Sequence, residues 1–172
     1  APKINGKLFS EYNAENKLTG DVKLTGAWMK GSSMNANVSP WQANTYNDYE
    51  YFYSLAENIT SVDLRKAQAS NVDINQFFKN PNTLVYTNEY YEHNNIIVNG
   101  KAKSVALTDD NPFSCFEAFD AAKVSLTRTV REGINSFVLP FYTTAGDLEA
   151  EHVATFKSAT DDKVTFATTD HV

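Results

Sequence analysis

"KLTGDVKLTGAW", residues 17–28, alternates with period two: Leu18, Gly20, Val22, Leu24, Gly26 and Trp28 share one parity, while Lys17, Thr19, Asp21, Lys23 and Thr25 take the other. Successive side chains of a strand point to opposite faces, so the pattern predicts a half-buried strand, or two strands joined near Gly20. The tetrapeptide KLTG occurs twice, six residues apart, a hint of a hexapeptide solenoid. Composition leans the same way. Thr, Val, Asn and Tyr are plentiful, and helix-favouring blocks of Leu, Ala, Glu and Lys are scarce.

The 172 residues fit one large domain or two small ones and are enough to bury a core without staples. A single cysteine excludes an internal disulfide framework. With a net charge of −6 and no Lys/Arg cluster larger than Arg65-Lys66, the chain lacks the basic footprint that nucleic acid or an anionic membrane surface requires. No stretch approaches the roughly 18 apolar residues of a transmembrane helix, so no membrane insertion is expected. "APKINGKLFS" has no apolar signal-peptide core.

Outward from the first strand, residues 30–47 have turn composition and predict a surface loop. Next, "YNDYEYFYSL" (46–55) holds four tyrosines and a phenylalanine. As a strand it would align Tyr49, Tyr51 and Tyr53 in one row suited to a sugar chain. As a helix it would start at an Asp48 cap and turn Phe52 and Leu55 inward. The residues after it favour the helix, over 48–57. "ITSVDLRKA" (59–67) fits the leucine-rich-repeat frame through Ile59, Val62 and Leu64, with Ala67 where Asn or Cys is usual. Such repeats place a short helix before a short strand, here 61–65. "VDINQFF" (72–78) is a second helical candidate and "TLVY" (83–86) a second strand. Val62 and Leu84 lie 22 residues apart, a normal leucine-rich period.

"NIIV" (95–98) and "SVAL" (104–107) predict strands linked through Asn99-Gly100, a strong hairpin signal. "AKVSLTRTV" (122–130) alternates, and "SFVLPF" (136–141) reads as an apolar strand stopped by Pro140. "HVATF" and "KVTFAT" read as a hairpin across "KSATDD" (157–162). Strands at this spacing predict an antiparallel β-sandwich. The expected fold is therefore mainly β: a short leucine-rich-repeat-like segment with one or two short helices in residues 1–108, and a sandwich part in 109–172, with the two packed as one unit or apart.

Residues 59–141 also carry a dispersed pattern, most characteristic in "VALTDDNPF", "KVSLTRTV" and "VLPF". It resembles a module of secreted and surface proteins of Bacteroidales, often leucine-rich-repeat or adhesin-like, lying towards their C-terminal ends. This chain has Leu126 and Asn135-Ser136 where that pattern carries aromatics. The resemblance implies export to the medium or outer cell surface, a structural or interaction role, and excision from a longer protein. It brings no catalytic residues.

The residues themselves point away from catalysis. No G-x-S-x-G, phosphate loop or dinucleotide fingerprint occurs. His152, within "DLEAEHV", lacks the spacing of a zinc site and reads as part of a solvated acidic turn. "TDDNPF" and "TDD" lack the calcium-loop pattern and read as turns. Cys115, among phenylalanines in "NPFSCFEAF", predicts a buried inert thiol. The reading is thus a non-enzymatic protein with no cofactor and no metal site. Its partner would be an extracellular protein or glycan, and the ligand-binding candidates are Trp41, Tyr46, Tyr90 and Tyr91, where aromatic area is paired with a polar handle. The alternative is a carbohydrate-binding module, and a weaker one is a fragment of a glycan-active hydrolase.

Overall fold

A computed structural model describes residues 2–8, 11–12, 18–28, 52–53, 56–69 and 73–170. They are mainly β. The chain divides into two compact units, Ala1–Thr129 and Val130–Val172.

In the first unit the strands are β1 (Lys3–Ile4), β2 (Lys7–Leu8), β3 (Leu18–Trp28), β4 (Ala56–Ala69), β5 (Leu84–Tyr86), β6 (Ile96–Val98), β7 (Lys101–Ala102), β8 (Val105–Thr108), β9 (Asp120–Ala121) and β10 (Val124–Thr127). An eight-stranded mixed sheet has the order β2-β1-β3-β4-β5-β6-β7-β9. Its centre, β3 to β6, is parallel, and β10 pairs with β8 in parallel beside it. β8 and β10 pair across 108/109, within the first of the two compact units. β10, which the antiparallel sandwich reading included, runs parallel to its partner β8: period-two alternation says which face is buried, not which way a neighbour runs.

Of "KLTGDVKLTGAW", Leu18–Trp28 forms one continuous strand, with Leu18, Val22, Leu24 and Trp28 buried. Its 11 residues pair with the 14 of β4. Three single-residue register shifts absorb the difference, one of them beside Gly20. Gly20 and Gly26 sit at φ 69° and 81°, a conformation that costs glycine nothing.

The sheet buries both faces differently. Val22, Leu24, Val62, Leu64, Val85, Ile96 and Val98 pack on a cluster with Trp28, Phe52, Tyr53 and Phe77. Phe52 stands edge-on to Trp28 at 5.8 Å and to Phe77 at 5.7 Å. The opposite face carries Asp21, Lys23, Asp63, Arg65 and Tyr86 and is crossed by residues 113–119: Phe116 lies 4.5 Å from Tyr86, and the Ser114 hydroxyl donates to Asp21. Cover on both sides explains why β5 and β6 are buried at every residue.

Phe52 and Tyr53 are helical and buried, but Ala56 already opens β4, which overturns a helix reaching 57. The rest of that stretch (48–51 and 54–55) lies outside the described residues. "VDINQFF" supplies one 3-10 turn, Ile74–Phe77, capped by the Asp73 carboxylate, which accepts from Asn75 N at 3.3 Å. The strand expected at 61–65 runs from 56 to 69. Val62 stands opposite Val85, one residue beyond the Leu84 expected. Paired residues on successive strands, Val22, Val62, Val85 and Ile96, are spaced 40, 23 and 11 apart, so the ladder has no fixed repeat.

Three buried asparagines bind the first unit's loops together. The Asn82 side chain takes Thr108 N–H at 2.7 Å and donates to Thr108 O at 2.7 Å. Asn95 does the same with Ala106, at 2.7 and 3.1 Å. The two amides thus copy the hydrogen bonding of a neighbouring strand along β8. Asn80 donates to Ile59 O and Pro112 O. Buried amides without such partners are costly, and here they are satisfied.

The second unit holds an antiparallel hairpin, β11 (Val153–Ala159) and β12 (Val164–Thr169), as its alternation predicts. "SFVLPF" forms no strand there; Val138 is 99% and Tyr142 97% exposed. Pro140 has no N–H to give, and a single hairpin offers the run no second layer to pack against.

Candidate functional site

The β5–β6 loop and the β7–β8 turn meet in an open groove of about 690 Å³, lined by Tyr90, Tyr91, Glu92, His93, Asn94, Lys103 and Ser104. Local hydrogen bonds set its shape. Glu89 N donates to Thr87 Oγ1 at 3.4 Å, and His93 N donates to Tyr91 O at 2.9 Å, closing a tight turn. Asn95 N donates to Ser104 O at 2.9 Å, and Ser104 Oγ donates to Asn94 Oδ1 at 2.5 Å, which ties the two loops edge to edge. Asn95, whose side chain locks β8, therefore also anchors the groove wall.

The two tyrosines divide the work. Tyr91 packs half-buried against the core cluster; burial, then the nearby Glu89 charge, pushes its hydroxyl above the ordinary tyrosine range. Tyr90 is 56% exposed, with Lys103 Nζ 4.8 Å from its ring centroid. His93 stacks on Phe78, centroids 3.8 Å apart and planes 10° from parallel. Its Nδ1 lies 2.6 Å from Asn94 O. A carbonyl can only accept, so Nδ1 is the donor in this contact.

Of the four sequence candidates, Tyr90 and Tyr91 come together here; Trp41 and Tyr46 lie outside the described residues. Sequence reasoning missed His93, Lys103 and Ser104. An exposed aromatic pair is a visible signal, whereas the Lys103–Tyr90 contact depends on a hairpin bringing two loops side by side.

A second polar cluster lies on the sheet face under residues 113–119. Arg65 bridges Asp63 and Glu117, each at 2.9 Å, and sits over the Tyr86 ring at 5.4 Å. Those bonds raise the guanidinium still further above neutral pH, and they hold Glu117 below the usual carboxylate range. Burial pushes Asp63 up, but the Arg65 bonds outweigh it and leave the carboxyl low. Burial likewise opposes Asp21, yet hydroxyl bonds from Ser61, Ser114 and Thr60 with the Lys23 charge prevail. Every member of this cluster spends its charge on the fold.

Cys115 is exposed, which corrects the buried thiol expected from its phenylalanine neighbours. Phe116 and Phe119 turn to Tyr86, while Cys115 Sγ stays at the surface and donates to Glu117 O at 3.1 Å. His152 is exposed, with Glu151 at 3.9 Å, and no trio of His, Cys, Asp or Glu gathers as a metal site among the described residues. Asp109 pairs with Arg128 at 3.1 Å, a structural use of "TDDNPF".

No family model, curated protein or solved structure matches the chain. No helix among the described residues is long and apolar enough to cross a membrane. The fold and groove define a mainly β chain that presents an aromatic and polar surface on a hydrogen-bonded ladder.

Proposed function

We propose that the chain is a non-enzymatic module of an exported protein, displayed at the outer cell surface or secreted, and used for interaction, adhesion or spacing. One observation carries the reading: a ligand-sized groove of loop side chains stands on strands whose polar groups are already satisfied by Asn82 and Asn95. Binding sites are commonly loops held by a rigid scaffold. The pattern spread over residues 59–141 supports export through its resemblance to Bacteroidales surface modules. The parallel pairing of β3, β4 and β5 is what supports a leucine-rich-like scaffold, degenerate in that its spacing follows no fixed repeat.

Two measurements test the reading. An antibody against the folded chain should label intact cells of the producing organism, and the immobilised chain should retain extracellular glycoprotein such as mucin. Labelling only after lysis, or no retention at all, would overturn it.

A further inference from the structure

The groove's chemistry narrows what it holds. Tyr90 offers a ring more than half exposed, while the Glu92 and Lys103 side chains form no hydrogen bond or ion pair with the described residues. The groove therefore combines one aromatic face, the carboxylate of Glu92, and the Lys103 ammonium, whose contact with the Tyr90 ring leaves its N–H groups without an acceptor among the described residues. Unspent hydrogen-bonding groups beside an exposed ring match a ligand with one apolar face and a rim of hydroxyls.

A peptide fits less well. β6, the strand that follows the groove's first loop, is paired on both edges by β5 and β7, so an extended peptide has no free edge of it to join. The groove is also open and half polar, without the deep apolar socket that an aromatic or aliphatic anchor fills. An anionic ligand is disfavoured by charge. Glu92 offsets Lys103 within the groove, and Glu89 lies close enough to act on Tyr91.

We propose that the Tyr90–Lys103 groove binds a neutral pyranose unit of a glycan. The sugar ring stacks on Tyr90, a hydroxyl donates to Glu92, and another accepts from Lys103. Tyr91, His93 on Phe78, and the Ser104–Asn94 bond hold the groove's shape without taking part in recognition. The inference rests on the reading of this groove as the ligand surface.

The experiment uses the full chain on an array of neutral and acidic oligosaccharides, with native and chemically deglycosylated mucin in parallel. Neutral pyranose glycans should bind, with affinity nearly unchanged between 0.05 and 0.5 M salt, since no ligand charge is there to be screened. Tyr90→Ala should weaken binding about tenfold or more, the loss of roughly one stacking contact. Tyr90→Phe should retain most of it, because the ring face remains. Glu92→Ala and Lys103→Met should each weaken binding several-fold, with the circular dichroism spectrum unchanged. Retention of deglycosylated mucin equal to that of native mucin would sink the pyranose assignment and leave the interaction reading standing. Failure to retain either would sink both. Preference for acidic glycans with steep salt dependence would overturn the neutral-ligand assignment. Glycan binding untouched by Tyr90→Ala would remove this groove as its site.

Discussion

The apolar side chains of β6 and those of β12 meet opposite fates. Ile96, Ile97 and Val98 are all buried, between neighbours on both edges and cover on both faces. On β12, Val164 and Phe166 remain 55% and 57% exposed, and Phe156 on β11 remains 65% exposed. Phe156 and Phe166 are direct register partners in edge-to-face contact at 6.5 Å, so they touch each other and little else. Strand propensity alone does not bury a residue. The first unit stacks strands and satisfies its loops, whereas the second has one hairpin for its apolar side chains to share, a structure of marginal stability by itself.

The largest effects should therefore come from the first unit's core. Leu84→Ala and Val62→Ala, at fully buried positions, should each cost about 2–4 kcal/mol in urea unfolding, because the surrounding strands cannot collapse onto the cavity. Phe166→Ala should cost less than about 1 kcal/mol, in keeping with its exposure. Equal losses in the two units would break the comparison.

Next come the asparagines. Asn82→Ala leaves the Thr108 peptide without its side-chain partner on that edge, and Asn95→Ala does the same to Ala106. Each should cost about 1–3 kcal/mol, the penalty for stranding buried polar groups. Asn135→Ala removes comparable bonds to Arg131 at an exposed turn of the second unit, and water should replace them at less than about 1 kcal/mol. If Asn82→Ala were neutral, the account of β8 would fail.

A smaller effect comes from the lowered carboxyls. Asp21, Asp63 and Glu117 have folded-state pKa values below their unfolded ones. Their contribution is fully present above the unfolded values, roughly pH 4, and is lost as pH falls through the folded ones. The thermal midpoint should thus decline on acidification below about pH 4.5. Asp21→Asn should flatten part of that decline while leaving the pH 6–8 plateau level. A decline of the same slope in Asp21→Asn would remove this carboxyl from the explanation.

Much of this contrast was legible in the sequence, and the rest was not for identifiable reasons. Alternation marked β3, β10 and the β11–β12 hairpin, because period two arises directly from strand geometry. Asn99-Gly100 marked its turn, and both residues adopt positive φ, 50° and 72°. Beyond that turn, however, the partner of β6 is Lys101–Ala102, while 105–108 pairs with β10. Asn80, Asn82 and Asn95 read as ordinary turn residues, since a buried amide and an exposed one have the same letter. "SFVLPF" looked more buried than any segment near it, yet burial needs a second layer that no local pattern encodes. Of the groove, the exposed Tyr90-Tyr91 pair could be picked out. The Phe78–His93 stack and the Lys103–Tyr90 contact join residues 15 and 13 positions apart, so they emerge only once the loops are placed.

Amide hydrogen exchange at individual residues tests the contrast between the two units most directly, since it reports local opening without any substitution. The amides of Val85, Thr87 and Thr108, bonded to Asn95 O, Ile97 O and the Asn82 side chain, should exchange slowest. Those of β11 and β12 should exchange about a hundredfold faster or more, a gap of roughly 2.7 kcal/mol in opening free energy. Equal protection in the two units, or a hairpin slower than β5 and β8, would contradict the account.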